Sequence, residues 1–219
     1  MLTVIEPAAS TALTTLDRVK FGLGIDLDDE SNDEFLEMQI QEQSDYVCAL
    51  LNVATADDGT RTLGLETVEE ILEMPFLSRL PVVEIISLMD GNGTVYDPDD
   101  YRIHRMTGRF IGPPSTAWMN LIYNYTPPPI PIIARYTAGW LLPGDEGRTL
   151  PYPIETATVA RVSSVRSGSG RDPLVKAEDI PGVIRTEYWV GSTGGDTGGT
   201  GGIPPDIWSQ LSMYRRLGV

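Results

Sequence analysis

The spacing of apolar residues changes period along this chain, and that change limits the folds open to it. Leu36, Ile40, Val47 and Leu51 recur at helical spacing, with Phe35, Tyr46 and Leu50 beside them, so a long helix carries one apolar stripe. Ser31 or Asn32 is placed to cap it, with Asp33 and Glu34 at its positive end. Ahead of it, Thr14 or Thr15 caps a short helix through about Phe21, which Gly22 and Gly24 end. Asp26 to Asn32 is the polar break between the two helices. After the turn Ala54–Thr62 the pattern becomes one of short strands and tight turns. Val82–Leu88 reads as a mostly buried strand, and Asp90-Gly91-Asn92-Gly93 as a hairpin turn with Thr94–Tyr96 returning. Asp97–Asp100 turns the chain again, because proline presets φ and aspartate bonds the backbone beyond it. Tyr101–His104 and Arg109–Ile111 flank Met106-Thr107-Gly108, another hairpin. Ile130–Tyr136 is a strand that follows three prolines.

Helices first and strands afterwards predict an α+β fold, a helical hairpin followed by an antiparallel β module. The expected divisions are an acidic helical hairpin at 1–62, the β module at 63–141, and a connector, third helix and strand pair at 142–190. A glycine-rich tether at 191–202 and a C-terminal helix at 203–219 complete the chain. Residues 154–166 read two ways: Val and Thr favour a strand, while Pro153 at a helix start and valines spaced by three favour a helix. Leu174–Ala177 and Val183–Val190 read as a strand pair bridged by Glu178–Gly182.

Charge narrows the function. The 16 basic and 31 acidic side chains give a net charge of −15. Residues 1–60 hold 13 acids against 2 bases, a net of −11, whereas residues 155–219 balance at seven of each. Such acidity argues against ordinary phosphate-backbone binding, which needs clustered Lys and Arg. It reads either as a solvated face, as a surface that repels nucleic acid, or as one that meets a basic partner. No apolar run approaches the ~20 residues of a membrane span, and MLTVIEPAAS does not read as a secretory signal. One cysteine, Cys48, gives no intrachain disulfide framework.

No catalytic constellation is legible. His104 is the one histidine, so a nitrogen- or sulfur-rich zinc site has no ligand set, and no G-x-S-x-G elbow accompanies it. His104 therefore reads as structural, and Cys48 as a small buried hydrophobe. The stretch from Asp90 resembles a calcium loop at Asp90, Asn92 and Thr94, then fails where Val95 replaces glycine and Tyr101 replaces the bidentate glutamate. The glycines at 191–202 lack the spacing and the lysine of a phosphate loop. The chain reads as a non-enzyme with no cofactor and no metal.

The ordered parts resemble a known family. V-K-F-G-L-G-I-D closes the first helix and D-E-F-L opens the second. V-V-E-I-I-S-L, D-G-N-G, Y-D-P-D-D-Y-R-I-H and I-I-A-R-Y-T-A-G-W follow, then a proline-led segment at 153–168 and K-A-E-D-I-P-G-V. I-P-P-D-I-W-S-Q-L-S-M-Y-R-R-L closes the chain. From about residue 14 to 217 this set is similar to the head–tail adaptor, or connector, proteins of long-tailed bacteriophages. The long β insertion and the tether depart from the smaller members. The resemblance implies a virion neck protein, a ring of usually twelve copies below the portal. Such a ring extends the DNA channel and presents a platform to the stopper or tail-completion protein. It also favours helix for residues 154–168, which implies a helical core with the antiparallel β module inserted between the second and third helices.

In that family the C-terminal segment commonly anchors to the portal. Here Ile207, Leu211 and Tyr214 form a stripe with Trp208 beside it, and Arg215 and Arg216 suit the helix's negative end. Two placements stay open: this helix docks between portal subunits, or it packs on its own domain. If the acidic first third lines the bore, Asp28, Asp29, Glu30, Asp33, Glu34 and Glu37 repel passing DNA without reading its sequence. The rival readings are another neck or tail ring protein, such as a stopper or tail terminator, and a β-type binding module. The latter needs an aromatic platform, for which Trp118, Tyr123 and Tyr125 are the candidates.

Overall fold

The computed structural model describes residues 1–72, 76–111, 131–169, 177–180, 184–187 and 203–216. The chain is α+β and divides into two compact units. The first holds Met1–Thr11 and Cys48–Thr149, and the second holds Ala12–Val47 and Leu150–Val219.

The first unit is built on an antiparallel sheet of β1 (Leu2–Glu6), β2 (Glu66–Leu72), β3 (Val82–Asp90) and β6 (Ile132–Ala138), in the order β1-β2-β6-β3. A smaller pair, β4 (Arg102–His104) and β5 (Arg109–Ile111), forms a hairpin. In β6, Ile132, Ala134, Tyr136 and Ala138 are buried while the residues between them are half-buried, the two-residue period of a strand with one core face. Val68, Leu72, Leu88 and Phe110 pack with them. The register of β3 on β6 shifts between Val82 and Glu84 and again between Ile85 and Ser87; such bulges bend an edge strand and discourage stray pairing. Gly139 lies at φ +115° where a Cβ would stand 2.1 Å from the Gly64 carbonyl oxygen, so only glycine lets β6 leave the sheet there.

The second unit holds α1 (Leu16–Leu23), α2 (Asp33–Leu50, its last turn in the first unit), α3 (Tyr152–Ser169) and α4 (Pro205–Leu211). Strands β7 (Ala177–Ile180) and β8 (Ile184–Glu187) form a hairpin in it. Thr15 caps α1 by accepting the Arg18 N–H at 3.3 Å, and Gly24 ends it in the left-handed region at φ +68°. Val19, Leu36, Ile40 and Val162 make its apolar core. A Cβ on Gly22 would stand 3.0 Å from the Val159 side chain, so α1 and α3 approach closely. Thr14 and Glu155, both buried, bond at 3.4 Å.

Residues 154–166 are helical, the one of their two readings that the resemblance favours. Several details need correction. The helix begins at Tyr152, which puts Pro153 second rather than first. Glu178, Asp179 and Ile180, read as a turn, belong to β7. Strands β1 and β2 are not anticipated at all. The tether 191–202 and the aromatics Trp118, Tyr123 and Tyr125 lie outside the described residues.

Candidate assembly surfaces

Two prolines, Pro204 and Pro205, start α4, and the Trp208 N–H bonds the Pro204 carbonyl at 2.8 Å. The helix packs against α3 of its own chain. Ile203 ahead of it and Leu211 at its end are fully buried, as expected where the helix packs on its own domain. Its neighbours do not sink as far. Ile207, Trp208, Tyr214 and Arg216 are half-buried and Arg215 is exposed. The helix continues as a tight 3-10 turn through Tyr214, so the arginines follow that turn rather than α4 itself.

The acidic residues form an elbow between α1 and α2. Asp26 accepts the Asp28 N–H at 3.2 Å, and Asp29 accepts the Ser31 N–H at 3.0 Å. The Ser31 hydrogen bonds hold the Asp29 carboxyl below the usual range. Asp33 plays a different part: its carboxylate lies 2.6 Å from the Lys20 ammonium, which is 2 % exposed. Lys20 also donates to the Leu27 carbonyl at 3.1 Å, and the Asp33 hydrogen bond, outweighing burial, raises its pKa. Asp33 is therefore committed to closing the elbow. Asp28, Asp29, Glu30, Glu34 and Glu37 are exposed. Large apolar side chains stand among them, with Phe21 75 % and Leu27 54 % exposed.

A basic counterpart sits on the β4–β5 hairpin. Ile103 pairs with Phe110 in the hairpin register; Phe110 is buried and Ile103 packs on the same core. Strand alternation then puts Arg102 and His104 on the opposite face, with Arg109 across from His104. Arg102, His104, Arg105 and Arg109 are exposed. His104 pairs its Nδ1 with the Thr107 hydroxyl at 3.0 Å. Arg18, Arg102, Arg105, Arg109 and Arg215 are exposed, and three of these five share this hairpin.

A third cluster is buried in the first unit. Arg79 pairs with Glu66 and donates to the Ala54 and Thr60 carbonyls. Its backbone N–H donates to the Tyr136 hydroxyl at 3.1 Å, and that hydroxyl donates to Glu70 at 2.6 Å. Glu70 also accepts the Ser78 N–H at 2.9 Å and the Ser78 hydroxyl. Burial, then the Glu70 carboxylate, hold the Tyr136 phenol well above 10.0. Every charge here is spent on a structural partner. The same is true of Asp90, whose carboxylate accepts the Asn92 and Thr94 N–H groups at 2.9 Å each, a turn rather than a calcium loop. Cys48 is buried. No cluster of His, Cys, Asp and Glu among the described residues is arranged to hold a metal, and no described helix is long and apolar enough to cross a membrane.

No protein-family model and no curated protein matches the chain. Solved structures do. A chain in the neck of an empty gene transfer agent (GTA) particle, computed with C6 symmetry, aligns with a TM-score of 0.57 at 14% identity. The match covers 100% of this chain and 97% of that one. The fold is shared. A chain of the native GTA virion gives a TM-score of 0.54, and one from the native neck computed with C12 symmetry gives 0.50, at the same identity and coverage.

Sequence reasoning misses the basic hairpin as a surface and the Arg79 network. The first was visible as three arginines in eight residues, masked by the acids of Asp97–Asp100 just ahead. Nothing local signals the second, because its members lie from 54 to 136 in sequence.

Proposed function

We propose that this chain is a structural, non-catalytic component of a virion neck, and that within the neck it is the head–tail adaptor. The observation that carries this reading is the end-to-end likeness to GTA neck and virion chains, 100% of this chain on 97% of theirs. The adaptor-like order of sequence parts points the same way, and the titratable clusters described above serve structural partners.

In this role copies of the chain form a ring, twelve in number, between a portal and a stopper or tail-completion protein. A ring is a heterologous assembly, so each copy needs two different complementary faces and no pocket. The exposed carboxylates of α2, Glu34 and Glu37, border the channel and repel the phosphates of DNA passing through it. Attachment to the portal uses the side of the C-terminal segment that α3 leaves uncovered, through Ile207, Trp208, Tyr214 and Arg215 with Arg216 beside them, and not through Leu211.

Mass photometry and electron microscopy of the purified full chain, alone and mixed with a portal, test the reading. Rings of about twelve copies, or a monomer that becomes a ring on the portal, are expected. A chain that stays monomeric in both settings is not an adaptor.

A further inference from the structure

We infer that the seam between neighbouring copies of this chain joins the β4–β5 hairpin of one copy to the α1–α2 elbow of the next. The inference rests on the ring reading and specifies its contact. Each copy carries a net charge of −15. Copies brought side by side repel unless opposite charges meet where they touch. Three exposed arginines, Arg102, Arg105 and Arg109, stand together on one hairpin. Asp97, Asp99 and Asp100 precede that hairpin, but the Asp97 carboxylate is turned onto the Asp99 N–H at 3.0 Å. Asp99 and Asp100 are exposed as well, so the basic surface is the Arg102 and Arg109 face of the two strands with Arg105 at their turn, and not the whole segment.

The elbow is the complementary face for more than its charge. Asp28 and Glu30 are exposed close in sequence to Leu27, whose apolar side chain stands in solvent, and Phe21 at the end of α1 is exposed with the Arg18 guanidinium 6.0 Å from its ring centre. The hairpin offers the same mixture with the opposite sign, since Met106 is 58 % exposed beside Arg105. Apolar anchors ringed by opposite charges are the anatomy of a protein–protein contact. Two different patches, one in each unit, also meet the heterologous requirement: every copy gives a hairpin to one neighbour and an elbow to the other. A hairpin facing DNA is the competing assignment. It suits the charge of three arginines, but it leaves the exposed apolar side chains of both patches without a role.

Charge exchange in the full chain tests the seam. Arg102→Glu with Arg109→Glu reverses the hairpin, and Asp28→Lys with Glu30→Lys reverses the elbow without touching Asp29 or Asp33, which hold its turn. Each pair alone is expected to lower the ring fraction at least tenfold in mass photometry, and the two pairs combined to restore it. Circular dichroism checks that each variant is folded. Cross-linking serves independently of charge reversal: Asp28→Cys mixed with Arg109→Cys is expected to give oxidised ladders that neither variant gives alone, Cys48 being buried. Rings that survive both reversals and form no mixed ladder overturn the seam and leave the neck reading standing. Hairpin reversal that changes DNA retention but not ring formation assigns the hairpin to DNA instead. A wild-type chain that never assembles, alone or on a portal, overturns the neck reading and the seam together.

Discussion

Tyr136 shows how one hydroxyl holds a buried charged cluster together. It receives the Arg79 N–H and donates to Glu70 from a fully buried ring. Tyr136→Phe leaves both partners short of a bond in a place water does not reach. The expected cost is about 1–3 kcal/mol in urea unfolding at neutral pH; a change within error would mean that the cluster is slack. The pH dependence follows from the raised phenol. Above about 10 the unfolded chain releases this proton while the folded chain keeps it, so stability falls as pH rises. That part of the alkaline loss disappears in Tyr136→Phe. Lys20 gives a separate alkaline signal in the other unit. Its raised pKa means that its contribution is complete below the unfolded value of 10.5 and is lost as pH climbs through the folded one. Lys20→Met is expected to lower the thermal midpoint by stranding Asp33, and Lys20→Met with Asp33→Leu to recover most of the loss. No recovery in the double variant would show that the pair does not act as a unit.

At the scale of elements, the C-terminal helix is the place where packing decided what the sequence left open. Its stripe of Ile207, Leu211 and Tyr214 suits any apolar groove, and period alone cannot say whose. α3 of the same chain supplies that groove for Leu211. Leu211→Ala is therefore expected to destabilise the isolated chain by about 2–5 kcal/mol, as for other buried leucines. Thermal melts that leave the monomer unchanged would return Leu211 to a partner. The first two helices were legible because their signals are local: Thr15 and Gly24 cap α1, and Leu36 and Ile40 fall on the buried side of α2. The hairpin turns at Asp90 and Met106 were legible for the same reason. Strand β2 was not. Glu66, Glu69 and Glu70 in ETVEEIL argue against a buried central strand by propensity, and only Arg79, Ser78 and Tyr136, distant in sequence, make it tolerable. β1 is five residues long and stops before Pro7, too short for its alternation to stand out.

For the whole molecule the governing quantity is the distribution of charge. A ring that passes DNA must touch it weakly, because adhesion at each turn of the duplex would add up along the channel. The exposed carboxylates of α2 are suited to that, and their effect is multiplied by the number of copies. Glu34→Lys with Glu37→Lys converts the proposed bore from repelling to attracting without touching the elbow pair Lys20–Asp33 or the apolar face that holds α2. Wild-type rings are expected to leave duplex DNA free in a mobility-shift assay at physiological salt. Rings of the double variant are expected to retain it, with an affinity that falls steeply as salt is raised, the signature of phosphate contacts. The salt series is the decisive arm. Retention that ignores salt would point to contacts other than charge. Variant rings that assemble normally and still leave DNA free would place Glu34 and Glu37 on the outside of the ring, and the acidic face would then be there to keep copies soluble and apart from other proteins.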